Sequence, residues 1–185
     1  LSPEPDVRDR ALAAFQSRSI PQNQEIARMP VKPIPIGYHS VTPYLAVRQA
    51  ADAIEYYRRA FGAKERMRLA APDGKVGHAE LEIGDSVIML ADEHPEMDFR
   101  SPESYGGAAV TLHLYVRDVD ASFRKAIDAG GKAVRPVQDQ FYGDRSGTLR
   151  DPFGHVWHLA THKEDLSPEE IDRRAQAMFK KDTKK

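Results

Sequence analysis

The chain has 185 residues, a formal net charge of −1, 41% hydrophobic and 30% charged residues, and no cysteine. Without cysteine there can be no disulfide, thiolate metal site or cysteine nucleophile, and the near-zero charge offers no electrostatic footprint for nucleic acid or an anionic membrane. No apolar run approaches the ~20 residues of a membrane helix and no signal-peptide core is visible, so a cytoplasmic protein with one main domain is expected.

Residues 1–36 hold six of the thirteen prolines and little periodic apolar content, which reads as a Pro-rich N-terminal extension without a core of its own. Within it, Val7 to Gln16 could form a short helix capped by Asp6. Regular patterning begins at Gly37. Ser40 to Val47 reads as a strand, and Ala50 to Phe61 as a helix with Ala50, Ile54, Tyr57 and Phe61 on one stripe. Gly62 is placed to end that helix. Strands follow over Lys64 to Ala71, Val76 to Ile83 and Ser86 to Ala91, the first two joined by the turn Pro72-Asp73-Gly74-Lys75. The order β-α-β-β-β then recurs: a strand at Ala109 to Val116, a helix at Asp118 to Ala129 stopped by Gly130-Gly131, and a strand at Lys132 to Gln138. After the turn around Gly143, one strand runs to Asp151 and the last to His162. Asp151-Pro152-Phe153-Gly154 supplies the turn between those two. Residues 163–185 form a C-terminal helix and tail, with Ser167 as N-cap, Pro168 at N1 and Glu170 at N3.

The two halves match at an offset of 69 residues: Thr42 falls on Thr111, Leu45 on Leu114, Val47 on Val116, Ile54 on Phe123, Met89 on His158 and Leu90 on Leu159. Agreement of element order and register across the whole unit points to an internal duplication. Module 1 spans about 38–92 and module 2 about 107–162, within a domain at 37–162. The fold class is α+β, two tandem βαβββ modules with an N-terminal arm and a C-terminal helix.

Each helix covers one face of its sheet. The other faces should carry Thr42, Tyr44, Ala46, His78, Glu80, Glu82, Val87, Met89, Thr111, His113, Tyr115, Val156 and His158, a set too polar for a dry core. Turned inward, such faces make a ligand cleft. Leu45, Leu114, Trp157 and Leu159 belong beneath the helices.

Thr42-Pro43-Tyr44-Leu45, Ala60-Phe61-Gly62-Ala63, Gly77-His78-Ala79-Glu80-Leu81 and Asp151-Pro152-Phe153-Gly154-His155-Val156-Trp157 resemble the vicinal oxygen chelate superfamily. Their closest likeness is to its PhnB-like, glyoxalase/bleomycin-resistance branch, and the likeness runs from about residue 38 to 165. The resemblance implies a cleft for a small molecule, often completed across a homodimer. It also implies a reaction range from metal-dependent isomerases and dioxygenases to metal-free drug-sequestering proteins. In the metal-dependent members the ligands come from the first and last strand of each module. The matching positions here are Thr42, Met89, Thr111 and His158. Thr and Met are poor ligands for a metal that must polarise substrate oxygens, so no metal cofactor is expected. A His/Glu cluster of His78, Glu80, His113 and His158 is the alternative route to a divalent metal.

The ligand-binding candidates are Thr42, Tyr44, His78, Glu80, Met89, Thr111, His113, Tyr115, Arg145 and His158. His158 and Glu80 are the acid–base candidates if turnover occurs. Arg145 could meet an anionic ligand or pair with Asp144, Asp139 or a partner subunit. Trp157 shares parity with Leu159 and reads as core. The leading reading is a homodimer that binds a small organic molecule without an essential metal. The alternatives are a metal-dependent glyoxalase-like lyase or dioxygenase, and a surface-interaction protein with a vestigial cleft.

Overall fold

Two four-stranded sheets, each crossed by one helix, carry the fold, and a computed structural model describes it over residues 31–182. The chain divides into residues 1–35 and a second unit from Ile36 to Lys185, which holds both sheets. The helix expected at Val7 to Gln16 lies outside the described residues.

Module 1 comprises β1 (Tyr44–Val47), α1 (Ala50–Phe61), β2 (Lys64–Ala70), β3 (Val76–Ile83) and β4 (Ser86–Asp92), with sheet order β1-β4-β3-β2. A linker follows, containing a single 3-10 turn (Pro95–Met97) and the short helix α2 (Pro102–Tyr105), neither expected from the sequence. Module 2 comprises β5 (Thr111–Tyr115), α3 (Val119–Asp128), β6 (Lys132–Asp139), β7 (Asp144–Arg150) and β8 (Val156–His162), in the order β5-β8-β7-β6. The helix α4 (Pro168–Asp182) closes the described chain, and Ser167 Oγ accepts from the Glu170 N–H at 3.3 Å as its N-cap.

The duplication is visible in the pairing. β1 runs parallel to β4 with Tyr44 opposite Met89, and β5 runs parallel to β8 with His113 opposite His158. The offset is not constant, however. Ala79 pairs with Leu90, but Gly147 pairs with Leu159, so β3 and β7 correspond one residue closer than β4 and β8 do. The extra residue lies in the longer β7–β8 turn. The counterpart of Glu80 is therefore Thr148, and that of His78 is Ser146.

Helix starts repeat too. Gln49 precedes α1 in a left-handed conformation and its side chain caps nothing. The cap comes instead from the end of β4, where Asp92 Oδ1 accepts from the Ala50 N–H at 3.0 Å while Oδ2 accepts from Val76 N–H at 2.9 Å. In module 2 the same position is Thr161, whose hydroxyl oxygen accepts from the Val119 N–H at 2.9 Å. Gly62 ends α1 at φ 68°, where its N–H returns to the Arg58 carbonyl, as the sequence predicts.

The modules meet through their helices. α1 packs on α3, and the Tyr56 hydroxyl donates to the Ala126 carbonyl at 3.2 Å. Gly131 has to lack a side chain there, because a Cβ would stand 2.8 Å from that hydroxyl. Tyr57 and Phe61 reach across to Trp157 of β8, with ring centroids 5.4 and 4.6 Å apart, so one apolar core serves both modules. Asp151 anchors this junction from the turn. Its Oδ1 accepts from the N–H groups of Phe153 and His155, and its Oδ2 accepts from the Tyr57 hydroxyl at 2.7 Å and Trp157 Nε1–H at 2.9 Å. Four donors satisfy a carboxylate that is otherwise costly to bury. Trp157 and Leu159 are core residues, as their parity predicts.

Candidate functional site

With a helix packed on one face of each sheet, both sheets leave the other face open. On module 1 that face carries Tyr44, Ala46, His78, Glu80, Glu82 and Met89, because alternate residues of each strand point the same way. Glu80 is buried at its centre and makes two hydrogen bonds. The Tyr38 hydroxyl donates to Glu80 Oε2, and His78 Nε2 lies 3.4 Å from Oε1. The Tyr38 bond, against some burial and helped by His78, holds the Glu80 carboxyl below the usual carboxylate range. His78 Nδ1 lies 2.9 Å from the Tyr44 hydroxyl, and the Tyr44 ring packs edge-on against Phe99 of the linker.

On module 2 the open face is more polar. His113 sits between Tyr115 and His158, with ring centroids 4.6 and 4.9 Å away. His158 Nδ1 lies 2.8 Å from the Thr148 hydroxyl. Burial, with the nearby charges of His113 and Arg135, pushes the His158 pKa down, which favours the neutral ring. The Tyr115 hydroxyl donates to Asp144 Oδ2 at 2.9 Å, a bond that raises the tyrosine's own pKa. Asp144 Oδ1 in turn lies 2.7 Å from His162 Nδ1, while His162 Nε2 reaches Asp165 at 3.1 Å. These two carboxylates raise the His162 pKa.

Eight of the ten ligand-binding candidates from the sequence lie on strands with the expected orientation. Tyr44, His78, Glu80 and Met89 are gathered on one face, Thr111, His113, Tyr115 and His158 on the other. The bonds and ring contacts of each group stay within its own module or the adjoining linker. Thr42 is not on the sheet. It precedes β1, which starts at Tyr44 rather than Ser40, and its hydroxyl donates to the His39 carbonyl at 3.3 Å. Arg145 is also displaced: it shares the helix-side parity of Leu149 and grips Asp120 of α3 at 2.7 and 2.8 Å and Asp139 at 3.2 Å. Its fork is already filled by carboxylates, and Asp144 is not among them.

Sequence reasoning missed Tyr38, Asp144, Ser146, Thr148 and His162 as members of the open faces. Alternation along β7 could have revealed three of them, since Asp144, Ser146 and Thr148 are buried polar residues at every second position. Tyr38 meets Glu80 across 42 residues, and no local pattern announces such a contact.

A separate cavity of about 490 Å³ lies beside the β1 edge, beneath the linker, lined by Tyr44, Phe99, Tyr105, Val110, Leu112 and His155. His155 Nε2 lies 3.1 Å from the Ala46 carbonyl, and burial pushes the His155 pKa down.

A model of the glyoxalase/bleomycin resistance protein/dioxygenase superfamily matches residues 37–159, about two thirds of the chain and nearly all of both modules. The chain belongs to that superfamily. An uncharacterized protein of Mycobacterium bovis is 44% identical over 135 residues, covering 71% of this chain and 89% of that protein. Among solved structures, TioX from a Micromonospora species is 26% identical with a TM-score of 0.53, covering 70% of this chain and all of TioX. The PhnB protein of Bacillus cereus shares the fold at 19% identity and a TM-score of 0.52, over 66% of this chain and 99% of that one.

Metal-dependent members of this superfamily take donors from the positions of Thr42, Met89, Thr111 and His158. Two hydroxyls and a thioether are poor partners for a divalent Lewis acid, and the Thr42 hydroxyl is turned to a backbone carbonyl. Among the described residues no group of three or more His, Asp or Glu side chains is placed to hold a metal. This donor set does not fit the metal. Among those same residues no helix is long and apolar enough to cross a membrane.

Proposed function

We propose that this superfamily member binds a small organic molecule against its open sheet faces, without an essential metal, and that a second copy closes the cleft to give a homodimer. The observation that carries the reading is the uncovered state of Tyr44 and Tyr115, 47% and 60% exposed, each with its hydroxyl fixed by a polar neighbour, His78 for the first and Asp144 for the second. Large aromatic groups left exposed on the edge strands of a polar face suit contact with a ligand or a facing subunit. Where turnover occurs, His158 and Glu80 are the proton acceptors on offer, since one is favoured as the neutral ring and the other as the carboxylate.

Protein purified without chelators is expected to contain no stoichiometric zinc, nickel, iron or manganese. A stoichiometric metal that is lost on His158→Ala overturns the metal-free reading. A thermal-shift screen of aromatic antibiotics and small oxo-acids should yield stabilising ligands whose effect disappears in the His113→Ala/Tyr115→Ala double variant. Shifts that all survive in that variant place binding elsewhere on the surface. A monomer mass by light scattering rejects the homodimer.

A further inference from the structure

The direction of the hydrogen bonds made by the two exposed tyrosines follows from which partners can donate. A carboxylate only accepts, so the proton between Glu80 and His78 sits on His78 Nε2. A neutral ring protonated at Nε2 leaves Nδ1 with a lone pair, and Nδ1 is the atom that meets the Tyr44 hydroxyl at 2.9 Å. The Tyr44 proton is therefore directed at His78. On module 2 the Tyr115 hydroxyl donates to Asp144 Oδ2. Both exposed tyrosines thus spend their only proton on the protein, and each is left with oxygen lone pairs for whatever lies above it. The two are not repeat counterparts, since Tyr44 corresponds to His113 and Ala46 to Tyr115. The same polarity is therefore reached from different positions in the two modules.

We infer that the exposed tyrosine of each open face is set to accept hydrogen bonds, and so to take ligands bearing O–H or N–H donors, neutral or cationic, in preference to carboxylates and ethers. The inference deepens the small-molecule reading above and rests on it. Charge favours the same class. A carboxylate stands behind each tyrosine, Glu80 through His78 and Asp144 directly, so an anionic group at either hydroxyl would approach a like charge, while Arg135 on the module 2 face acts on His158 and not on Tyr115. To donate outward, Tyr115 would have to abandon buried Asp144, and Tyr44 would leave His78 Nδ1 without its partner. Each is the cost of an unmade hydrogen bond.

Phenol and anisole differ by the methyl group that removes the donor, and benzylamine and benzoate differ in the sign of their charge. Titrated into the isotope-labelled full chain and followed by NMR shifts, phenol and benzylamine should bind about tenfold more tightly than anisole and benzoate, the scale of one hydrogen bond. Tyr44→Phe and Tyr115→Phe should each reduce the phenol preference while the spectrum elsewhere is unchanged. Anisole or benzoate binding as well as phenol does overturns the inference and leaves the small-molecule reading intact. Binding of none of the four probes sinks both. The proton arrangement is read independently from the ring nitrogen shifts of His78: protonated Nε2 with bare Nδ1 is expected, and either the opposite tautomer or a doubly protonated ring overturns the inference whichever probes bind.

Discussion

The two modules share a backbone plan and differ in how completely each is packed. In module 1 the helix-facing residues Val47, Ile54, Leu81 and Leu90 are wholly buried, and Leu45 nearly so. In module 2 the matching Leu114, Val116 and Phe123 are only partly covered, although Leu149 and Leu159 are buried. Module 1 also lends its aromatic helix residues to module 2, through Tyr57 and Phe61 against Trp157. Their open faces diverged further still. Tyr44, Met67, His78, Glu80 and Met89 have the counterparts His113, Arg135, Ser146, Thr148 and His158. Duplication preserves whatever the shared core demands and leaves the face without a helix free to change its chemistry.

The largest test of this asymmetry is Trp157→Ala. It removes the residue where the module 1 helix meets the module 2 sheet and leaves the Asp151 carboxylate one donor short. A loss of about 4 kcal/mol is expected in urea denaturation, the usual scale for truncating a buried aromatic. The remaining transition should stay single, because one core serves both modules. Two resolved transitions would show that the modules are held separately.

The next test compares Glu93, just after β4, with His162, the last residue of β8, which occupy the same place in the repeat and titrate oppositely. Glu93 accepts from Ser104 Oγ, from the Ser101 N–H and hydroxyl, and from Arg48 Nε, and these partners lower its pKa to about 2. A carboxyl depressed in the folded state contributes stability above its unfolded value of 4.5 and loses it as pH falls towards about 2. The contribution is roughly 2 kcal/mol after allowance for solvent screening. Glu93→Gln should flatten the acid limb of the stability–pH curve. His162 runs the other way. Its raised pKa gives stability that is fully present below the unfolded histidine value of 6.5 and disappears as pH climbs through the folded one. His162→Gln should flatten that upper limb and leave the acid limb unchanged. An acid limb that survives Glu93→Gln would assign it to other carboxyls.

The smallest effects belong to the paired caps. Thr161→Ala should cost about 1 kcal/mol, the usual worth of a helix cap. Thr161 has a second bond too, its hydroxyl donating to the Val116 carbonyl at 2.8 Å, but Asp92→Ala should cost more because both bonds of Asp92, from the Ala50 and Val76 N–H groups, end on a charged carboxylate. Equal losses in chemical denaturation would mean that the charge contributes nothing.

Much of this fold is legible in the sequence for local reasons. Strand alternation, the apolar stripe of α1, the glycine after it and the Ser-Pro-Glu-Glu start of α4 each specify their element from a few neighbouring residues. The repeat then orders those elements into two like modules. Alternation alone also puts Tyr44, His78 and Glu80 on one face, and His113, Tyr115 and His158 on another. Other features depend on partners far away in the chain. The one-residue shift between β3 and β7 comes from pairing, and the cap on α1 comes from Asp92, 42 residues downstream. The Asp151 turn looks chemical in sequence, yet it is saturated by Tyr57 and Trp157. Arg145 reads either as a partner for an anion or as one for Asp144, Asp139 or another subunit, and the structure pairs it with Asp139 and with Asp120 of α3. Periodicity fixes the side of a strand on which a residue sits. Only the tertiary structure decides where a polar side chain directs its proton, because its partners lie on other strands, and on the open faces that direction decides which tyrosine atoms keep their lone pairs.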